Sequence, residues 1–428
     1  MSTHDDLTFG TLDVHADDAD SRSRLHAYAD AWSSAFIEGR LDDEKFGRWL
    51  EHSREDDVTL RHATPTHSAV GATPRPVATF SSWRGELNVG GPELVPLHMI
   101  SDVTVAPTHR RRGILSRLMT EDLAVAAADG APIAALTVSE GSIYGRFGFG
   151  PATRYRQVEV DIRPGRLRLR PGFADDGSLE QLLPGDAWPL VQRVKAEHLR
   201  RTRGEVSRPA FYRQFQSGDF DWETGGINRR LVAIVHLDVD GTPDGYVLYT
   251  PKEGDDHDHH RIDIGDLIAL TPAAELRLWE YLAGVDLLSV ARARLLHDDP
   301  LDHAVVDPRC VKTTLVRDML WVRLLDLPRT LGARPWREDG SVVLDVADPL
   351  GHVSGRWRLT TAKGIGTLEP STETADVHTD VETLGTLYLG DVPVHTVAAA
   401  GRLTGTGVDT FAAMADHAGP SPYCRTGF

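Results

Sequence analysis

The chain has 428 residues, 41% of them hydrophobic and 25% charged, with a net charge of −17 from 46 basic and 63 acidic side chains. That length exceeds one ordinary core and implies roughly two to four domains. The negative surface repels phosphate backbones, which excludes nucleic acid as a partner and favours cationic ones. Two cysteines, Cys310 and Cys424, form neither a disulfide framework nor a zinc spacing, so no metal is expected and a reducing cytoplasm is. The polar, acidic start shows no signal peptide. The best apolar run, residues 123–138, is broken by Asp129, Gly130 and Pro132, so no membrane span is expected.

Residues 1–20 are acidic and weakly periodic and read as a frayed or loosely docked start. Between 24 and 49, Leu25, Tyr28, Ala29, Trp32 and Phe36 recur at helical steps, and Asp42, Asp43 and Glu44 mark a helix start. Residues 62–76, rich in Thr and Pro, read as an irregular crossing. Strands are expected over 77–83 and 94–105, around a turn at Gly90 and Gly91. A helix follows Gly113, with Leu115, Leu118, Met119, Asp122 and Ala126 on one face and Gly130 past its end. Residues 132–138 are nearly all apolar, as a buried parallel strand requires.

Residues 162–301 repeat this theme. Strands over 245–249 and 262–270 precede a helix over 273–282, but Ala273, Ala274, Glu275, Leu276 and Arg277 stand where the first region has its arginines and glycine. The spacing predicts a duplicated unit without a cofactor loop. From 302 onward a helical stretch over 319–327 is expected, then strands at 341–346 and 355–360, a turn near Gly364, and a last helix near 384–389 or 410–418. Strands followed by helices imply an α+β layer. The stretch Asp256 to Arg261, with three histidines, is metal-friendly in composition. It reads as a solvated loop because no distant ligand is tied to it by spacing.

The chemistry concentrates at residues 103–116. A strand ends at Pro107, a basic loop follows with Arg110, Arg111 and Arg112, and Gly113 opens a helix. The first amides of a helix lack acceptors and, with the helix dipole, suit a pyrophosphate. Glycine lets the backbone approach it, and arginine matches phosphate oxygens.

Arg110-x-x-Gly113-x-Leu115 resembles the coenzyme A loop of GNAT acetyltransferases, with Leu115 in place of a small residue. Tyr144, Gly148 and Phe149 resemble the Phe-Tyr-x-x-x-Gly-Phe segment of the same superfamily. Across residues 101–119, 139–152, 319–328 and 421–428, the chain resembles the Eis family of actinobacterial acetyltransferases. The resemblance implies an α/β and α+β multidomain fold of two tandem GNAT-like mixed-sheet domains, then a sterol-carrier-like α+β domain. The expected boundaries are 1–161, 162–301 and 302–428.

It further implies a homohexamer that uses acetyl-CoA, without metal, on primary amines of a polycationic acceptor such as an aminoglycoside or a lysine side chain. The cofactor contacts implied are Val103, Thr104, Val105, Arg111, Arg112, Gly113, Ile114, Leu115, Ser116, Ser139 and Glu140. A phenol has the acidity to protonate a departing thiolate, which makes Tyr144 the candidate acid. The resemblance assigns the base to the terminal carboxylate on Phe428. Trp32 and Phe36, one helical turn apart, read either as core packing or as an acceptor wall with Asp30 or Asp102. The rival reading is an apolar-ligand or lipid binding module with a vestigial GNAT domain. The intact Arg111, Arg112, Gly113 and Tyr144 argue against it.

Overall fold

In the computed structural model, residues 6–68, 70–221, 224–253 and 260–428 are described. The first five residues and the core of the histidine-rich stretch, 256–259, lie outside them.

The first unit comprises β1 (Leu7–Leu12), α1 (Ala19–Ala35), α2 (Asp43–Glu55), β2 (Thr59–Pro65), β3 (Ala78–Leu87), β4 (Val95–Val105), α3 (Ile114–Ala128), β5 (Ile133–Thr137) and β6 (Gly150–Pro151). The second comprises β7 (Arg154–Asp161), β8 (Ser178–Leu182), α4 (Pro184–Arg201), α5 (Tyr212–Gln216), β9 (Val232–Leu237), β10 (Pro243–Lys252), β11 (His260–Ala269), α6 (Pro272–Ala283), β12 (Leu288–Leu295), α7 (Leu301–Ala304) and β13 (Val311–Asp318). There follow β14 (Leu320–Leu324), α8 (Leu327–Ala333), β15 (Gly340–Ala347), β16 (Gly355–Ala362), β17 (Ile365–Pro370), β18 (Val377–Asp380), α9 (Val381–Tyr388), α10 (Val394–Ala399) and α11 (Val408–Ala415).

Three sheets result, in the orders β1-β2-β3-β4-β5-β14-β6, β13-β7-β12-β11-β10-β9-β8 and β17-β16-β15-β18. In the first, β4 and β5 are parallel and α3 crosses between them. Asp122 fixes that crossover. It is 1% exposed and accepts from Arg61 at 2.9 Å and Ser82 at 2.8 Å, with the His98 ring 2.6 Å away. A buried carboxylate needs such partners, so α3 is held against the strands by a satisfied charge as well as by Leu118, Met119 and Leu123.

Several expectations are corrected. Within the expected loose start, residues 7–12 form an edge strand: β1 pairs with β2 from Leu7 opposite Pro65 to Leu12 opposite Leu60. β2 in turn takes the first residues of the expected irregular crossing. Residues 320–324 form a strand, not a helix. All five are buried between β5 and β6, and a short apolar run has no period that tells the two forms apart. Both alternatives for the last helix exist, as α9 and α11.

The sheets also cross the expected boundaries at 161 and 302. β7 belongs to the second sheet, β13 returns to pair with it, and β14 enters the first sheet. The chain can do this because Asp318 ends β13 and, two residues later, Leu320 starts β14, so one continuous run bridges the two sheets. Arg323 in β14 is fully buried and bonds Asp348 at 2.8 and 2.9 Å, which ties the third unit to the first.

Candidate active site

β4 and β5 stay paired only from Leu97–Ile133 to Ile100–Leu136. Past that point β4 bulges. Thr79 and Ser81 of β3 face Thr104 and Ser101, so three steps on β4 match two on β3. Asp102 takes up the extra residue at φ 51°, a left-handed conformation costly for a side-chain-bearing residue and common at functional sites. Thr79 Oγ1 donates to the Asp102 carbonyl at 2.7 Å and lies 2.6 Å from Thr104 Oγ1, which braces the bulge. The strands therefore part as a wedge. A slot of about 320 Å³ occupies it, lined by Phe36, Asp102, Val103, Ser139, Tyr144 and Phe428 among others.

At the outer end of β4 the loop passes through Arg111 at φ 63° and Gly113 at φ 79° before α3 begins. No side chain caps α3, so its first amides keep their donors for an anion. Arg112 pairs with Asp6, which holds that carboxyl below its usual range. Ile114 is buried and Leu115 packs against the same core, so these two contribute to a site only through their main chain. Ser116 is exposed.

Tyr144 closes the slot from the β5 side. Its ring meets Phe149 edge-on at 6.3 Å. Burial, with Glu140 nearby, pushes its phenol up to about 12, so it keeps its proton at neutral pH. Gly148, at φ 82°, turns the chain after it; a Cβ there would collide with Arg323 and Val381.

The C-terminal tail closes the slot from the other side. Tyr423 N donates to Arg203 O at 2.8 Å, and Arg425 N to Glu205 at 3.2 Å. Lys195 Nζ donates to Thr426 Oγ1 at 3.0 Å, and Gly427 N to Tyr212 Oη at 2.8 Å. Beneath runs a buried ion network: Glu205 lies 2.8 Å from Lys195 and 3.2 Å from His198, and Arg208 lies 2.8 Å from Asp266. Phe428 N donates to Thr137 Oγ1 at 3.1 Å, and that hydroxyl donates back to the Phe428 main-chain oxygen. The Phe428 ring sits edge-on to Trp83 at 5.8 Å.

A second cavity of about 530 Å³ opens on the far side of Phe428. Trp32, Trp49, Trp83, Phe211 and Phe215 wall it, and Glu38, Asp56 and Asp102 bring carboxyl groups to it. Asp56 accepts from Ala210 N at 2.8 Å, yet burial holds it above its usual range. Burial likewise pushes Asp102 up to about 6, against the hydrogen bond from Ser81 and with Glu38 adding to the rise. The two cavities share Ser101, Asp102 and Phe428.

The fold thus brings Val103, Ser139, Tyr144, Phe428, Phe36 and Asp102 to one slot. Thr104 turns instead to Thr79. Trp32 and Phe36 do not form a single wall: their rings lie 6.3 Å apart, but Trp32 faces the larger cavity and Phe36, at the end of α1, the slot. Thr137, Trp83, Tyr212 and the bed of the tail escaped the sequence, where nothing in local spacing singles them out.

Two family models described as an acetyltransferase (GNAT) domain match residues 21–152 and 204–324, and one described as a sterol carrier protein domain matches 327–425. An uncharacterised N-acetyltransferase of Streptomyces griseus is 37% identical over 358 residues, covering 82% of this chain and 86% of its own. The N-acetyltransferase Eis of Mycobacterium tuberculosis is 34% identical over 362 residues, covering 82% and 86%. Among solved structures, Eis1 of Mycobacterium abscessus superposes with a TM-score of 0.78 at 26% identity over 98% of this chain and 100% of that one. A GCN5-related N-acetyltransferase of Anabaena variabilis shares the fold at a TM-score of 0.80 and 17% identity, over 98% and 100%. With its β4–β5 wedge, uncapped α3 and C-terminal sterol-carrier-like unit, the chain belongs to the Eis family of GNAT N-acetyltransferases.

Proposed function

We propose that the chain transfers the acetyl group of acetyl-CoA directly to a primary amine of a polycationic acceptor, aminoglycoside-like or a lysine side chain. The observation that carries this reading is the meeting of two cavities at Phe428: a narrow slot beside an uncapped helix start, and a wide, aromatic, acid-bearing cavity. The first suits a thin thioester arm ending in phosphates, the second a cation among rings and carboxylates.

In this reading the main chain of Val103, Thr104 and Val105, past the last β4–β5 pair, holds the arm and polarises the carbonyl. Arg111, Arg112, Gly113 and the amides of Ile114, Leu115 and Ser116 hold the phosphates, with Ser139 and Glu140 flanking the arm. Acetyl-CoA supplies the activated acyl group. Tyr144 protonates the leaving sulfur, a role its raised phenol pKa permits because the proton is present to be given. The Phe428 carboxyl group, held by Thr137, accepts a proton from the amine. Trp32 walls the acceptor's cavity, and Phe36 the slot.

The same reading takes the protein as a cytoplasmic homohexamer, which light scattering on the purified chain tests. The function itself is tested by thiol release from acetyl-CoA over a panel of amines. Release that depends on an amine supports it, and none with any amine overturns it.

A further inference from the structure

Proton accounting leaves one group unassigned. An amine reaches the site near neutral pH as an ammonium ion, and it must lose two protons to become an amide. One leaves before the nitrogen can attack. The other leaves after the C–N bond has formed, when the nitrogen again carries a positive charge. The Phe428 carboxyl group accounts for one of these losses.

The second carboxyl group shared by both cavities belongs to Asp102. Its backbone is strained at φ 51°, and its peptide oxygen is braced by Thr79. One side-chain oxygen accepts from Ser81 Oγ at 2.9 Å, and no salt bridge to it is found among the described residues. A carboxylate stripped of most water and left without a cation suits transient pairing with an incoming one.

We infer that Asp102 is a second proton acceptor, which receives the ammonium group of the acceptor and takes its first proton, while the Phe428 carboxyl group takes the second. This inference rests on the amine-acceptor reading above. The N–H bond of the ammonium breaks, its electron pair stays on nitrogen, and the proton moves to an Asp102 oxygen. The freed pair forms the C–N bond, and the proton then shed by nitrogen goes to the Phe428 carboxylate. The C–S bond breaks and the sulfur takes the Tyr144 proton, which the Phe428 carboxyl group replaces. Asp102 returns its proton to water, so one proton is released per turnover.

Asp102 titrates near neutrality, at about 6, as a group that must take and release a proton in each cycle requires. The groups facing it are Tyr28 from α1, Glu38 from the loop after α1 and the Phe428 carboxyl group from the tail. Tyr144 and Arg317 stand across the slot, and His52 and Asp56 across the wide cavity.

The experiment compares Asp102→Asn with the unaltered protein on two amines at pH 7. One is an alkylamine, charged at that pH. The other is trifluoroethylamine, which is already mostly neutral. The variant should bind acetyl-CoA normally by titration calorimetry. It should lose about 10²-fold or more in kcat/KM on the alkylamine but under about threefold on the neutral amine. Equal losses on both amines, or no loss on either, overturn the inference. If the unaltered protein acetylates neither these two nor any other amine, it is the amine-acceptor reading that fails.

A second variant guards against misfolding of the first. Ser81→Ala removes the hydrogen bond that lowers the Asp102 pKa, so that pKa rises and the acid limb of kcat/KM for the alkylamine moves to higher pH. An unmoved limb overturns the inference as well.

Discussion

The first two units share one framework and differ where the coenzyme would enter. In both, an antiparallel hairpin leads into a bulged strand, a helix and a parallel strand: β3-β4-α3-β5 in one, β10-β11-α6-β12 in the other. In both, the parallel pair then parts. α3 starts at Gly113 with no side-chain cap, whereas Thr271 caps α6 by accepting from Ala274 N at 3.1 Å, and Pro272 removes another donor. The start of α6 thus offers fewer open backbone donors than the start of α3.

The wedges differ in the same sense. Past Asp263 and Arg292, where β11 and β12 separate, Tyr423 Oη donates to Arg294 O at 2.9 Å and Arg425 lies 4.0 Å from Asp266. The second wedge receives the C-terminal tail, and the tail runs on to end at the first wedge. What the comparison teaches is that the unit without the basic loop supplies the bed on which the segment ending in Phe428 lies.

The largest way to break this contrast is Gly113→Asp. It puts a side chain at φ 79° and a negative charge where an anion would dock, so acetyl-CoA binding measured by calorimetry should be abolished, with the fold intact by circular dichroism. Next comes the tail. A few residues added after Phe428 turn its carboxylate into an amide, and deleting Phe428 draws the carboxylate back by about 3.5 Å. Both variants should keep acetyl-CoA binding and lose most turnover, while a tag before Met1 leaves turnover unchanged; a fully active extended protein removes Phe428 as the base.

Tyr144→Phe should lower kcat about 10²–10⁴-fold at saturating acetyl-CoA, and a loss under about threefold returns the ring to packing alone. Glu205→Gln strips the buried Lys195 and His198 of their counter-charge, and it should cost about 3–5 kcal/mol in denaturant unfolding, with the tail loosened. The smallest effect belongs to Thr271→Ala, which removes the cap of α6. It should cost about 1 kcal/mol of stability and leave acetyl-CoA affinity unchanged.

Where a pattern was local, the sequence was readable. The strand that stops before Pro107, the glycine before α3 and the acids that start α2 each act within a turn or two of chain; Asp42 caps α2 by accepting from Lys45 N at 2.8 Å. The repeated strand-helix theme likewise exposed the second unit. Residues 320–324 were misread because β14 is buried on both faces, which erases the alternation that marks a strand. β1 was missed because six residues at a sheet edge carry little apolar signal.

By itself, the sequence determined that a strand, a basic loop and a glycine-started helix follow one another and that the second unit lacks that loop, because turn glycines and helix starts are set by neighbours in the chain. Phe428 entered only through family resemblance. Tertiary structure alone decided that Thr137 would hold it across 291 residues, that Tyr212 and Glu205 would bed the tail, and that Asp102 would border two cavities at once. The physical reason is that contacts between distant segments follow from how three sheets pack. A carboxyl group's burial, and hence its pKa, depends on that packing and leaves no period or spacing in the chain.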